Sequence, residues 1–168
     1  QNPGEFVGTY PLPEAQMDRF FLRISIGYPT VEQEMDVLER YSGQVKPMAT
    51  LTPVCSAQDI IALQQMVTTI YCAPEVRAYV AQLAAATRQD PALQLGASTR
   101  AAIALIHGAQ ACALLDGRDF TLPEDVQHML LPVFSHRLLP NPEARMKGIT
   151  AEQVLMNILQ NVAVPLKV

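Results

Sequence analysis

Apolar residues recur at helical spacing through most of the chain beyond residue 55. After Pro74, for example, Val76, Tyr79, Val80 and Leu83 follow one another every three or four positions, as on the buried face of a helix. Turn and capping residues separate such segments from one another. We therefore predict a bundle of five helices, over about residues 56–70, Pro74–Gln89, Ser98–Leu115, Thr121–Leu131 and Thr150–Val162.

The starts of these helices carry local capping signals. Ser56 and Ser98 are predicted N-cap residues, because a serine hydroxyl accepts a hydrogen bond from a free amide of the first turn. Thr121–Glu124 and Thr150–Gln153 have the spacing of capping boxes. Asp116-Gly117 is predicted to end the long helix that begins at Ser98.

The first 47 residues have a different pattern. Pro13–Phe20 is predicted as a short helix, and Phe21–Ile26 alternates apolar and polar residues as a strand does. Thr30–Gln33 is a capping box that opens a helix to about Tyr41, which Ser42-Gly43 ends. Because one strand cannot form a sheet, the remaining strands of an α/β layer are expected outside this chain.

A connector separates the two parts. The segment 44–55 contains two prolines and several β-branched residues, which favour an extended conformation. We place a domain boundary there, with domains at residues 1–47 and 48–168. The predicted fold is mainly α, a helical bundle preceded by a truncated remnant of an α/β layer.

Composition excludes several classes of protein. Of the 168 residues, 49% are hydrophobic and 17% charged, which excludes a mainly disordered chain. The net charge of −4 argues against a nucleic-acid partner, and no apolar stretch is long enough to predict a membrane span. The cysteines Cys55, Cys72 and Cys112 are few and widely spaced, so we expect reduced thiols, most of them buried, in a cytoplasmic protein. The start at Gln1, without an initiator Met or a signal peptide, is expected to be a cut through a longer protein.

Few residues have the spacing of a chemical site. No lysine follows a glycine as in a phosphate-binding loop, and no apolar strand ends in a pair of magnesium-binding carboxylates. The histidines His107, His128 and His136 lack metal-ligand spacing, so no metal site is predicted.

Arg100 is the first candidate for function. If Ser98 is the cap, Arg100 lies in the first turn of its helix, where the helix dipole disfavours a cation by about 0.3–1 kcal/mol. A guanidinium beside a helix N-terminus is instead suited to a phosphate, although a solvated surface arginine is the alternative. Arg19 ends a short helix, where a cation is favourable without any function, and Asn2-Pro3 by itself indicates only a turn.

Longer runs of residues carry a resemblance to a known family. Gln1-Asn-Pro3, Gly8-Thr-Tyr-Pro-Leu-Pro-Glu-Ala-Gln-Met-Asp-Arg-Phe20 and Ile26-Gly-Tyr-Pro29 closely resemble the second half of the ATPase core of MoxR-family AAA+ ATPases. Gly96-Ala-Ser-Thr-Arg-Ala101, Ala113–Val126 and Pro132–Leu138 are similar to the helical lid of the same family. The resemblance covers essentially the whole chain, in order. It implies that residues 1–47 are the remnant of the P-loop NTPase core and 48–168 the AAA+ lid.

The resemblance assigns roles to three residues. Asn2 resembles the sensor 1 asparagine that orients the attacking water, Arg19 the arginine finger that reaches the neighbouring subunit's nucleotide, and Arg100 the sensor 2 arginine of the lid. Thr99 stands where the family usually has proline, and Gly4 replaces a bulky residue, but neither touches these roles. The family's Walker A loop and magnesium-binding strand lie upstream of Gln1. The chain alone is therefore expected to be inactive, although the intact protein would use ATP and Mg²⁺.

The implied function is that of a cytoplasmic ATP-hydrolysing ring, expected to be a hexamer of identical subunits. The family acts as chaperone-like remodelling or maturation factors, often with von Willebrand factor A-type partners. Two alternatives remain open at this point: a related motor of the magnesium-chelatase or helicase type, and a free-standing helical interaction module that never binds ATP.

Overall fold

The structure of the protein is a computed structural model that describes residues 12–42 and 51–165. It is mainly helical, as predicted. In chain order the elements are α1 (Glu14–Met17), α2 (Val31–Ser42), α3 (Ala57–Val67), α4 (Pro74–Gln89), β1 (Leu93–Leu95), α5 (Thr99–Leu115), α6 (Pro123–Phe134), a 3₁₀ turn (Ser135–Arg137), β2 (Leu139–Pro140), α7 (Pro142–Met146) and α8 (Ala151–Asn161).

The described residues fall into two units, and the proposed domain boundary near residue 47 lies outside them. One unit, here called the helical unit, comprises residues 12–23 and 66–165. The other comprises residues 24–42 and 51–65, with α2 and most of α3. The segment 12–23, which the sequence analysis assigned to the remnant, thus clusters with the bundle.

The core of the helical unit lies among α4, α5, α6 and α8. The apolar stripe predicted for α4 is buried, together with its threonine Thr87. Facing helices contribute Leu105 from α5, Phe134 from α6 and Leu155 from α8, each 0% exposed. The burial of each such side chain stabilises the fold by about 1.5–3 kcal/mol. This burial is the main force that holds the bundle together.

A short antiparallel ribbon, absent from the sequence-based prediction, closes one edge of the bundle. β1 pairs with β2, with Leu93 opposite Pro140 and Leu95 opposite Leu139. Strands of two or three residues leave almost no sequence pattern, which explains why the periodicity did not indicate them. The one-turn helix α7 was missed for the same reason, although Asn141 caps it by accepting a bond from the amide of Ala144 at 2.8 Å.

Most predicted caps are present. The Thr30–Gln33 and Thr150–Gln153 boxes both form reciprocal bonds, and Ser98 accepts the amide of Ala101 at 3.1 Å. Ser56 caps α3 through a reciprocal pair with Asp59.

The capping box predicted at Thr121–Glu124 is wrong by one residue. The amide of Leu122 donates to Asp125 Oδ2 at 2.7 Å, so the helix begins at Pro123. Thr121 is 1% exposed, and its amide donates instead to the carbonyl of Tyr71 at 2.9 Å. The helix also continues past the predicted end at Leu131, through Pro132 to Phe134.

The strand predicted over Phe21–Ile26 is also wrong. No strand is assigned to residues 22–30, and α1 is a single turn of four residues. A strand needs a partner, and here the amide of Arg23 donates to the carbonyl of Pro132, on α6, at 2.8 Å. Residues Asp18–Arg23, here called the strap, are thus an irregular segment that lies against α6. Beyond it, Ile26 and Tyr28 are 95% and 100% exposed.

The three cysteines are free thiols, as predicted. Cys55 is exposed, and Cys72 and Cys112 are only half-buried, so the expectation that most would be buried is wrong. Among the described helices, none has the length and apolar character that a membrane crossing requires.

Candidate functional site

The candidate site is built at the N-terminus of α5. The loop that precedes it is tied to the end of α4, because the amide of Ala97 donates to Thr87 Oγ1 at 2.9 Å and Arg88 Nε donates to the carbonyl of Ala97 at 2.7 Å. Gly96 packs directly on the α4 backbone, and a β-carbon there would come within 2.7 Å of Arg88 Cα. These contacts fix the position at which the capped helix begins.

Arg100 lies in the first turn of α5, as predicted, and 59% of its side chain is exposed. Its Nη1 donates to Asp18 Oδ2 at 3.3 Å. This is the only side-chain bond of Arg100 within the described ranges 12–42 and 51–165, so its Nε and Nη2 remain available to a second anion. A guanidinium of this kind beside a helix N-terminus fits a phosphate group.

Asp18 brings three donors together. Ser98 Oγ donates to its Oδ1 at 2.8 Å, Arg100 Nη1 lies 3.3 Å from Oδ2, and Arg137 Nε lies 3.3 Å from Oδ1. One carboxylate thus faces two guanidinium groups, which leaves the cluster with a net positive charge. An anion such as a phosphate would compensate that charge.

Arg19, the residue after Asp18, is exposed. Its amide donates to the carbonyl of Gln16 at 3.1 Å, which continues the turn of α1 by one residue. Its side chain makes no hydrogen bond or ion pair with any residue that the structure describes. Arg19 therefore follows directly after the residue that pairs with Arg100, and its guanidinium has no partner among the described residues.

Arg137 is the residue of the site that sequence reasoning missed. Its side chain is 2% exposed, and its guanidinium donates to the carbonyls of Asp18, Phe20, Phe21 and Val133. Burial lowers the pKa of Arg137, while the neighbouring Asp18 carboxylate opposes that shift. No local pattern marks it, because its partners are more than a hundred positions away in the sequence, apart from Val133.

His136 lies beside Arg137 and faces the same strap. Its Nε2 lies 3.1 Å from the carbonyl of Phe20. Burial is the main cause that lowers its pKa, and the nearby Arg137 and Arg23 charges add to that shift. His107 and His128 are exposed, and the described residues contain no group of three metal-ligating side chains.

The third candidate, Asn2, lies outside the described residues, as do Pro3 and Gly8–Tyr10. Of the proposed site, the structure therefore describes Arg19 and Arg100, together with Asp18, which pairs with Arg100 and precedes Arg19 in the chain.

Comparison with known proteins finds one matching family model and several similar proteins. Residues 85–158 match the model of the AAA lid domain family. The chain is 42% identical to the protein YeaC of Bacillus subtilis over 99% of its own length and 36% identical to the chaperone MoxR1 of Mycobacterium tuberculosis over 98%. It also resembles the crystal structure of a candidate ATPase from Cytophaga hutchinsonii, with a TM-score of 0.89, 33% identity and 98% of the chain covered.

The matches cover only part of these relatives. The chain spans 52% of the YeaC length, 45% of MoxR1 and 52% of the Cytophaga hutchinsonii chain. The chain thus spans about half the length of the curated relatives it matches.

Proposed function

Because the chain belongs to the MoxR family of AAA+ ATPases, we propose that it supplies the arginine contacts of a ring-forming ATP hydrolase. The observation that carries this proposal is the exposed guanidinium of Arg100 at the capped N-terminus of α5. Two of its three nitrogens have no partner among the described residues. Such a group is suited to the phosphates of a nucleotide and has no evident structural task of its own.

Arg100 is proposed to act as the sensor of the nucleotide bound to its own subunit. Its bond to Asp18 is long at 3.3 Å, and 59% of the Arg100 side chain is exposed to water, so the bond contributes little to stability. A phosphate can therefore compete with Asp18 for this arginine at little cost. Ser98 and Arg137 would still hold Asp18 in place.

Arg19 is proposed to act as the finger on the neighbouring subunit's nucleotide. It is exposed, and it lies on a strap anchored on both sides, so its guanidinium can be presented to another chain. Charge supplied in this way stabilises a phosphoryl-transfer transition state and accelerates the reaction by orders of magnitude. Asn2 is proposed to orient the attacking water.

The cofactors of the proposed reaction are ATP and Mg²⁺. Bound nucleotide would supply the transferable phosphoryl group, with magnesium neutralising its charge. The described residues offer no cluster of carboxylates for the metal, so its ligands are proposed to lie in the part of the family's core that this chain does not span. By the same argument, this chain alone is proposed to be inactive.

The intact protein is proposed to be a cytoplasmic, chaperone-like hexamer that remodels or matures other protein complexes. The name of the relative MoxR1 as a chaperone supports this role. Proteins with a von Willebrand factor A-type domain are the proposed partners, and no nucleic-acid partner is expected from a chain with a net charge of −4.

The test is ATP hydrolysis by the full-length protein with Arg19→Ala, Arg100→Ala and, as the matched control, Arg77→Ala. Arg77 is exposed on α4, and among the described residues its side chain makes no hydrogen bond or ion pair with Asp18, Ser98, Arg100 or Arg137. We expect Arg19→Ala to abolish turnover while nucleotide binding persists, and Arg100→Ala to weaken both. Wild-type turnover in Arg19→Ala, or wild-type affinity and turnover in Arg100→Ala, would refute the assignment.

Mixing the Arg19→Ala and Arg100→Ala variants separates action within a subunit from action between subunits. A subunit carrying Arg19→Ala retains Arg100 and can receive the finger of an Arg100→Ala neighbour. In a randomly mixed ring with head-to-tail contacts, about a quarter of the interfaces would then be complete. Mixing should therefore restore turnover, whereas two arginines that serve the same subunit's nucleotide would give no recovery.

A further inference from the structure

We propose that Arg137 is the positioning residue that holds the Arg19 finger in place, by fastening the strap Asp18–Arg23 to the end of α6. This inference rests on the proposed function of Arg19. A buried residue of the bundle, Arg137, would then help to position a group that acts on the neighbouring subunit's nucleotide.

The strap has almost no internal structure to position Arg19. α1 ends at Met17, only a single turn beyond its start, and residues 22–30 are neither helix nor strand. The Arg19 side chain has no partner among the described residues. The geometry of the finger must therefore come from whatever holds the backbone on each side of it.

Arg137 holds that backbone on both sides. Nε lies 3.3 Å from the carbonyl oxygen of Asp18, before Arg19, and Nη1 lies 3.2 Å from that of Phe21, after it. Nη2 donates to the carbonyl of Phe20, and a further Nη1 bond reaches Val133 on α6 itself. The planar fork of a guanidinium, with five donors, suits this arrangement, whereas the point charge of a lysine does not.

Two further bonds fasten the same strap to the same region. His136 Nε2 lies 3.1 Å from the carbonyl of Phe20, and the amide of Arg23 donates to the carbonyl of Pro132 at 2.8 Å. These bonds to the strap backbone all come from the short stretch Pro132–Arg137, whereas Ser98 and Arg100 bind only the side chain of Asp18. A movement of this stretch would carry the finger with it.

The energetics favour positioning over simple stabilisation. Desolvation of a guanidinium that is 2% exposed is costly, and a well-packed apolar side chain of similar size often serves stability as well or better. An apolar side chain cannot donate hydrogen bonds to the three strap carbonyls of Asp18, Phe20 and Phe21. The Asp18 carboxylate lies 3.3 Å from Arg137 Nε as a charged partner. The same carboxylate therefore pairs with Arg100 and also holds Arg137 in place.

The experiment uses the full-length protein with Arg137→Met, which keeps the volume and removes the donors. We expect kcat for ATP hydrolysis to fall at least about tenfold, since a small misplacement of a catalytic group costs that much or more. KM for ATP should stay within about twofold, because Arg100 and its own nucleotide contacts are unchanged. Nucleotide binding should persist in Arg137→Met as in Arg19→Ala, because a misplaced finger and an absent finger remove the same interaction.

Subunit mixing supplies a readout that a merely structural defect would not produce. Arg137→Met subunits should regain turnover when mixed with Arg100→Ala subunits, and should regain none when mixed with Arg19→Ala subunits. Failure to recover with Arg100→Ala, or recovery with Arg19→Ala, would overturn the proposal. If Arg137→Met does not fold, Arg137→Lys carries the same test, since it retains the charge beside Asp18 but not the fork.

The proposed function and this inference fail in different ways. Wild-type turnover in Arg19→Ala refutes the finger itself. A complete loss in Arg19→Ala with wild-type kcat in folded Arg137→Met leaves the finger intact and refutes only the positioning role.

Discussion

The substitution Gly96→Ala tests the link between the bundle and the site with a single methyl group. Its β-carbon would lie 2.7 Å from both Cα and N of Arg88 and 2.8 Å from the carbonyl carbon of Thr87. These are backbone atoms of α4 that cannot rotate away. Ordinary contact begins near 3.4 Å, so the loop and the helix would have to separate by about 0.7 Å.

That separation acts on bonds that hold the start of α5. The amide of Ala97 would move from Thr87 Oγ1, and the carbonyl of Ala97 would move from Arg88 Nε. Overpacking of this kind costs about 1–3 kcal/mol, and each weakened hydrogen bond adds about 0.5–1.5 kcal/mol. Allowing for partial relaxation, we expect the free energy of unfolding to fall by about 2–4 kcal/mol.

Urea unfolding followed by far-ultraviolet circular dichroism measures this loss, and Gly108→Ala is the matched control. A β-carbon at Gly108 meets the terminal methyl of Met129 at 3.0 Å, which is the end of a flexible side chain. Alanine also favours the helix interior over glycine by about 1 kcal/mol, so the control should be nearly neutral. A loss below about 0.5 kcal/mol in Gly96→Ala, or equal losses in the two variants, would refute the reasoning.

Three further predictions concern the bundle and its strap. Leu83 is 0% exposed, and Leu83→Ala should lower the free energy of unfolding in urea by about 2–5 kcal/mol. Leu115 is 84% exposed, and Leu115→Ala should lower it by less than about 0.5 kcal/mol. Equal losses in the two variants would contradict the assigned core. Thr150→Ala should lose about 0.5–2 kcal/mol by removing a cap that Thr150→Ser retains, and the idea fails if serine and alanine are equivalent. The pKa of His136 is lowered in the folded protein. Neutral His136 therefore contributes fully to the free energy of unfolding above pH 6.5, its ordinary pKa, and this contribution is lost as the pH falls below that value. Wild-type protein should therefore lose more stability than His136→Gln on acidification from about pH 7.5 to 5.5, and parallel pH profiles would exclude this cause.

Sequence patterns located the elements whose signals are local. A capping box joins residues three apart, and the boxes at Thr30 and Thr150 form as predicted. The Thr121 box failed because a tertiary bond to Tyr71 removed Thr121 from the helix, and Asp125 supplied the cap instead. The strand at Phe21–Ile26 failed because alternation signals a strand only where a partner strand is available.

The candidate site divides in the same way. Arg100 could be singled out by its place after a serine cap, and Arg19 by resemblance to a family motif. Neither signal reveals that Asp18 binds Ser98 and Arg100, which lie 80 and 82 positions away along the chain. Arg137 lay within a run that resembles the family, but nothing in that run distinguishes a buried clamp from a surface arginine.

By itself, the sequence determined the helical class of this protein, the register of its apolar faces and the first turn in which Arg100 lies. These features depend on interactions between residues three or four positions apart, so a short stretch of sequence contains all the residues involved. Only the tertiary structure decided that Arg137 is buried against the strap and that Asp18 faces two arginines. Those pairings depend on which distant segments pack together, and a buried charge is tolerated only where that packing supplies its partners.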